Sequence, residues 1–279
     1  MITTQQKKLP FVIFQIKRGL YAVGSENVRE IVVVPQVTFV PNSPPEVRGV
    51  INLRGKIIEL MDLRVKLGLL PLKAEVDALI QLLRDREQDH RDWLSELEAC
   101  VRERRPFAKA RDPHKCAFGL WYDQFQTEDR LLRMTLPGMD APHKAIHATA
   151  DAALSRAASG DVDGALELIS ERRSLELGAL IKLFDRSRRT LLAGNREVAV
   201  VLSRGAELLA FSADFVEAAE HIPEDRIEPM PPMLTNFNGG RHCRMGKRPR
   251  TNQTILLLSH EFFFNPVESS PPRRSCAAP

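Results

Sequence analysis

The chain has 279 residues, 43% of them apolar, and 40 Lys and Arg against 36 Asp and Glu give it a formal net charge of +4. That is enough length and apolar content for one large or two ordinary packed domains, and it excludes a chain too polar to fold. The basic runs at 102–111, 186–189 and 241–250 hold a single aromatic residue, Phe107, and so no platform on which bases could stack, and they read as solvated surface and not as a nucleic-acid interface.

The polar stretch from Met1 to Lys8 leads directly into a strand-like run and has no secretory character. No apolar stretch approaches the roughly 20 residues of a membrane span. The expected location is therefore the cytoplasm, without membrane insertion. There the four cysteines, Cys100, Cys116, Cys243 and Cys276, point to burial or metal binding before disulfides.

Short β-branched and aromatic runs come first: Phe11 to Ile16, a turn near Arg18-Gly19, Leu20 to Val23, and Ile31 to Val34 stopped by Pro35. After a loop at Pro41 to Pro45, Val50 to Leu53 and Lys56 to Leu60 form a hairpin about Arg54-Gly55. At Leu72 the period lengthens. Val76, Ile80, Leu83, Glu87, His90, Leu94, Leu97 and Val101 step by fours and threes along one face of a long helix that ends before Pro106.

Asp112-Pro113 reads as an N-cap and first residue of a short helix through Cys116, Phe118, Trp121 and Tyr122. Pro142 opens a third helix carrying His143, Ile146, His147, Ala150 and Leu154. A fourth follows Gly160-Asp161 through Leu191. Four amphipathic helices with short connections favour an antiparallel bundle. Strand signals return at Val198 to Leu202, Leu208 to Phe211 and Ile255 to Leu258, and 267–279, rich in Pro, Ser and Arg, reads as a disordered tail.

Within the helices, His143 and His147 are one turn apart on one face, and His90 stands in the apolar stripe of the first helix. Cys116 is placed in the first turn of its helix, where the macrodipole favours thiolate. Each alone has an ordinary alternative, a hydrogen-bonded core histidine or a small buried thiol. Together they favour ligation, because three inward imidazoles without a metal need three sets of buried partners, each unmet group costing roughly 1–3 kcal/mol.

His90, Cys116, His143 and His147 make a four-coordinate Zn2+ shell with no open position for a water, which argues against hydrolysis. Lys144 stands where a metalloprotease helix would carry Glu. Asp89, Asp92, Asp112 and Asp140 are the candidate acceptors for the imidazole N–H groups. Cys100, His114 and Cys243 fall off the ligand faces. Cys116, the only anionic ligand, is the candidate redox-reactive residue.

His90-Arg91-Asp92-Trp93, then Cys116-Ala117-Phe118-Gly119-Leu120-Trp121, then His143-Lys144-Ala145-Ile146-His147 resemble the chemoreceptor zinc-binding (CZB) domain. That resemblance implies zinc held by these same four residues in a four-helix bundle that senses zinc or oxidants such as hypochlorous acid. On either side, Val47 to Ile58 with Asp62-Leu63-Arg64, and Val200 to Phe211 with Asp214-Phe215-Val216 and Ile227 to Pro232, resemble the two halves of CheW, the bacterial chemotaxis coupling protein.

The implied architecture is α+β: an all-β CheW-like double SH3-like barrel at 8–72 and 194–266, interrupted by an all-α zinc-binding bundle at 73–193. The implied function is a chemotaxis signal-transduction scaffold that couples chemoreceptors to a CheA-type histidine kinase, with Val28, Glu30, Gly49 and Arg54 at partner-contacting positions. It is not an enzyme. Glu59, Ala213 and the basic stretch 239–250 depart from the family pattern. The competing readings are a structural zinc in an interaction protein, which includes a homodimer through the bundle, and, more remotely, a zinc hydrolase.

Overall fold

The computed structural model describes residues 8–127, 130–194, 196–234 and 242–264. The tail expected at 267–279 and part of the 239–250 stretch lie outside them. Two compact units are resolved: Lys73–Asn195, and the two stretches that flank it in sequence.

The flanking stretches build two six-stranded sheets. β1 (Lys8–Ile16), β2 (Gly19–Gly24), β3 (Val28–Val33), β4 (Val37–Thr38), β5 (Val47–Leu53) and β6 (Lys56–Asp62) precede the helices, followed by α1 (Leu63–Lys66). β7 (Val198–Arg204), β8 (Glu207–Ala213), β9 (Phe215–Pro223), β10 (Ile227–Pro229), β11 (Cys243–Lys247) and β12 (Thr254–Leu258) follow them, and α8 (Glu261–Phe264) comes last. One sheet has the order β10-β11-β12-β2-β1-β9, the other β3-β7-β8-β6-β5-β4. Each interleaves strands from both sides of the helical unit, joined by parallel pairings of β12 with β2 and β6 with β8. Neither half has a complete sheet without the other.

Arginine–glutamate pairs show that both sheets roll up. Strands three or four places apart in a flat sheet lie roughly 14–19 Å from each other. Yet Arg54, at the β5–β6 turn, meets Glu30 of β3 at 3.2 Å, and Arg48 of β5 pairs with Glu197 beside β7. In the other sheet, Arg248, just after β11, meets Glu217 of β9 at 2.8 Å and also pairs with Glu220. Each sheet encloses its own small core: Phe11, Ile13, Ala22, Ile222, Ile255 and Leu257 in one, Ile51, Ile58, Leu60, Ala199, Val201 and Ala210 in the other. A third cluster, including Phe14, Met61, Phe211 and Phe262, draws on strands of both sheets.

β9, β10 and β11 are not evident from residue type. Ala218, Ala219, Glu217 and Glu220 are poor strand formers, and β9 exists because β1 supplies its backbone partners along its length. The basic stretch is strand for the same reason, with Cys243 buried against the core and Arg244 and Lys247 turned to solvent. Glu59 is exposed in β6, so its charge disturbs no core.

The helical unit consists of α2 (Leu72–Glu103), α3 (Ala117–Tyr122), α4 (Arg130–Thr135), α5 (Asp140–Ala158), α6 (Val162–Arg172) and α7 (Gly178–Gly194). α2 stops where Arg104 turns left-handed (φ 57°) and Pro106 forbids another turn. A π-helical turn, Arg173–Leu177, joins α6 to α7 within the fourth expected helix. The third helix starts at Asp140 and not at Pro142, and α4 with the 3-10 turn Leu136–Met139 is an addition to the expected set. Leu83, Leu94, Leu97, Phe118, Ile146, Ala150, Ile169, Leu180 and Phe184 fill the core.

Candidate metal centre

His90, Cys116, His143 and His147 come together inside the helical unit, with one ligand-type atom from each within 4.8 Å of all the others. The histidines are 3%, 3% and 1% exposed, and Cys116 is half-buried. A tetrahedral zinc with bonds of about 2.0–2.3 Å sets its ligand atoms about 3.3–3.7 Å apart. The Cys116 Sγ to His143 Nε2 distance, 3.2 Å, is already close to that.

Three elements bring the ligands in. His90 lies on the buried stripe of α2, and its Nδ1 is 2.6 Å from the carbonyl of Arg86 one turn earlier. A carbonyl can only accept, so Nδ1 carries the proton and the Nε2 lone pair faces the cluster. His143 and His147 project from successive turns of α5. Phe118 (ring centroid 4.8 Å from His143) and Trp93 (4.8 Å from His147) wall them off from water.

The Cys116 segment differs from expectation. Asp112 caps not an α-helix but the 3-10 turn Pro113–Lys115, and Cys116 is itself the N-cap of α3, its Sγ accepting the N–H of Gly119 at 3.2 Å. The chain folds back so tightly that a Cβ on Gly119 would lie 1.9 Å from the Pro113 carbonyl oxygen. The expected thiolate is not favoured by the protein alone: burial pushes the Cys116 thiol up, against the opposing pull of the Gly119 and Phe118 amides.

The four aspartates are also engaged elsewhere. Asp112 caps its turn, Asp140 meets Lys144, Asp92 accepts from Gln88 and Asp89 meets Arg86. A backbone carbonyl, not a carboxylate, orients His90.

Three imidazole nitrogens are left without a hydrogen bond: His90 Nε2, His147 Nδ1 and His147 Nε2. The Ala110 and Arg111 carbonyls lie near enough to His147 to favour its protonation slightly, without meeting hydrogen-bond geometry. Burial, followed by the neighbouring His90, holds His143 down to about 3 and His147 down to about 4; burial also lowers His90. Neutral, inward-facing imidazoles with orphaned nitrogens beside a thiol are a soft N/S donor set, and they fit zinc.

The other candidates have different partners. Cys100 is 1% exposed, with Arg105 2.9 Å from its sulfur; His114 pairs with Asp123 at 2.8 Å; Cys243 is buried in the sheet unit.

A CheW-like domain model matches residues 10–89, and a chemoreceptor zinc-binding domain model matches 90–154. The chain joins a CheW-like domain to a chemoreceptor zinc-binding domain. Three proteins named as chemotaxis protein CheW, or probably so, are similar to it. The Helicobacter pylori protein is 34% identical over 97 residues, 35% of this chain and 59% of that protein. The Klebsiella aerogenes protein is 43% identical over 56 residues, 20% of this chain and 34% of its own length, and the Rhizobium etli protein 38% over 60 residues, 22% and 39%. The chain thus spans between a third and three fifths of these relatives. A solved scaffolding protein, TtCheW from Thermoanaerobacter tengcongensis, superposes over 94% of this chain and 92% of its own at 14% identity and a TM-score of 0.42. No helix among the described residues is long and apolar enough to cross a membrane.

In the CheW-like unit, Val28 is half-buried at the start of β3, beside a bulge, and Glu30 and Arg54 form the pair described above. Gly49 is buried with φ +140°, and a Cβ there would lie 2.2 Å from the Thr38 carbonyl oxygen. Its glycine has a reason within the fold.

Proposed function

We propose that this protein is a chemotaxis coupling adapter with a zinc-binding module inserted into a single CheW-like domain. The observation that carries the reading is the interleaving of both sheets: strands on either side of the helical unit complete each other, so 8–72 and 194–266 act as one host domain and 73–193 as its insertion. The host is the scaffold that joins chemoreceptors to a CheA-type histidine kinase, with Val28, Glu30, Gly49 and Arg54 on or beneath the contacting surface.

His90, Cys116, His143 and His147 would hold the zinc. When bound, zinc would supply a structural and not a hydrolytic centre, since four protein donors would meet its usual demand for ligands. Arg86 orients His90, the α3 amides support a thiolate at Cys116, and Phe118, Phe184 and Trp93 exclude solvent. Cys116 is the only anionic donor. Attack of its sulfur on the chlorine of hypochlorous acid, followed by hydrolysis, gives a sulfenic acid and chloride, which removes that anionic donor. The helical unit is tied covalently to the host on both sides, at Leu72 and at Arg196, so loosening α2 acts on β6 and α1 before it and loosening α7 on β7 after it.

The test is to assemble the chain with chemoreceptors and a CheA-type kinase, add hypochlorous acid, and measure kinase output and released zinc. The reading expects a change in both that a Cys116→Ser chain lacks. Zinc that stays bound while kinase output is unmoved would leave the structural-zinc reading, in which the bundle serves as a spacer or homodimer contact.

A further inference from the structure

We infer that Trp93 is the positioning residue of the metal centre: its indole orients His147 and at the same time fixes the segment that delivers Cys116. This rests on the zinc reading above. The three histidines are not held alike. His90 is locked by its bond to the Arg86 carbonyl, and His143 sits between Cys116 Sγ and the Phe118 ring. His147, 1% exposed, has no well-formed hydrogen bond on either nitrogen, so its tilt is set by ring contacts together with the nearby Ala110 and Arg111 carbonyls.

Those contacts are with the other two histidines and with Trp93, whose ring centroid lies 4.8 Å from that of His147 at an interplanar angle of 53°. His90 and His143 are themselves ligand candidates. Trp93 is the ring contact of His147 that is not.

The same indole reaches the third ligand-bearing element. Trp93 Nε1–H donates to the Ala110 carbonyl at 2.9 Å, and its ring meets Phe107 edge-on at 5.0 Å. Phe107 is 6% exposed and Trp93 5%, so this contact is a packed one. From Ala110 the chain runs through the Asp112 cap to Cys116, with little freedom left by the tight Pro113–Gly119 fold. One side chain on α2, three residues after His90, therefore sets the register between α2, α5 and the Cys116 segment. A tryptophan suits this task because its large rigid ring fixes a neighbour while its N–H anchors a backbone.

The experiment uses the full chain with zinc and a competing chelator. Trp93→Phe keeps an aromatic ring against His147 but loses the Ala110 bond; Trp93→Leu loses both. Removing a group that orients a ligand typically weakens metal binding about 10–100-fold. The expected order is wild type, then Trp93→Phe, then Trp93→Leu, with the zinc-free helicity of Trp93→Phe unchanged. Ile169→Ala, in the core on α6 and away from the Trp93 contacts, is the structural control, expected to lower the melting temperature while zinc affinity stays within about threefold.

In a Trp121→Phe background, emission then reports Trp93 alone, and zinc should shift it. Wild-type affinity in both Trp93 variants, or Trp93 emission indifferent to zinc, would overturn the assignment. A wild-type chain that takes up no zinc overturns the metal reading itself.

Discussion

His143 Nε2 lies 3.2 Å from Cys116 Sγ, so a base from α5 and an acid from the N-cap of α3 share one edge of a nearly dry cluster. Neither group ionises readily alone there. Burial drives the imidazole down to about 3 and the thiol up, and a cation bound between them would reverse the second of these.

Zinc binding should therefore depend on each of the four side chains. Cys116→Ser and His147→Ala are each expected to weaken zinc more than about 100-fold in a chelator competition, exceeding the loss typical of a group that only orients a ligand. Cys100→Ser should leave affinity unchanged, since Cys100 is held by Arg105 and Pro106 away from the cluster. Equal affinity in Cys116→Ser would remove the thiolate from the shell.

The zinc-free chain should lose stability on acidification earlier than its carboxylates require. His143 and His147 have folded values of about 3 and about 4 against an ordinary 6.5, so the unfolded chain binds more protons between those limits. The stability they contribute is complete above about 6.5 and is lost as pH falls through about 4 and then about 3. Denaturant melts of chelator-treated protein at pH 7.5, 6 and 5 should show this decline, and a His143→Leu, His147→Leu chain should show a flatter profile. Identical profiles would contradict it.

Arg248→Ala should destabilise the sheet unit by roughly 1–3 kcal/mol, because it leaves Glu217 and Glu220 without the cation that draws β9 towards the β11–β12 turn. Thermal unfolding of the two units, followed separately by zinc-dependence, would assign the loss. A change confined to the zinc-dependent transition would speak against that role.

Gly49→Ala should also fail as a fold. The methyl meets the Thr38 carbonyl oxygen at 2.2 Å in a backbone region that other residues avoid, so a cost of about 2 kcal/mol or more is expected. Any loss of coupling in that variant should track its lower melting temperature, whereas Arg54→Ala, at an 86% exposed tip, should leave the melting temperature within about a degree or two. Normal stability in Gly49→Ala would return the glycine to the contact surface.

The gathering of the four side chains was legible in the sequence because helical spacing is a strong constraint: His143 and His147 one turn apart share a face, and His90 stands in place of an apolar residue on the buried stripe of its helix. What the sequence did not disclose is set by partners distant along the chain. The Arg86 carbonyl became the acceptor of His90 simply because it lies one turn below on the same helix, where no residue type signals it. Cys116 shifted from first turn to N-cap because Gly119 permits the close approach of Pro113. The strands β9 and β11 were hidden by alanines, glutamates and arginines, and are fixed by β1 and β12 on the far side of the interruption.

Zinc bound to this chain should be held by these four side chains together. X-ray absorption at the zinc edge of the purified full chain tests it most directly. One zinc per chain is expected, with three nitrogen neighbours at about 2.0–2.1 Å and a single sulfur at about 2.3 Å, the sulfur vanishing in Cys116→Ser. A shell with no sulfur, or with two, would contradict it.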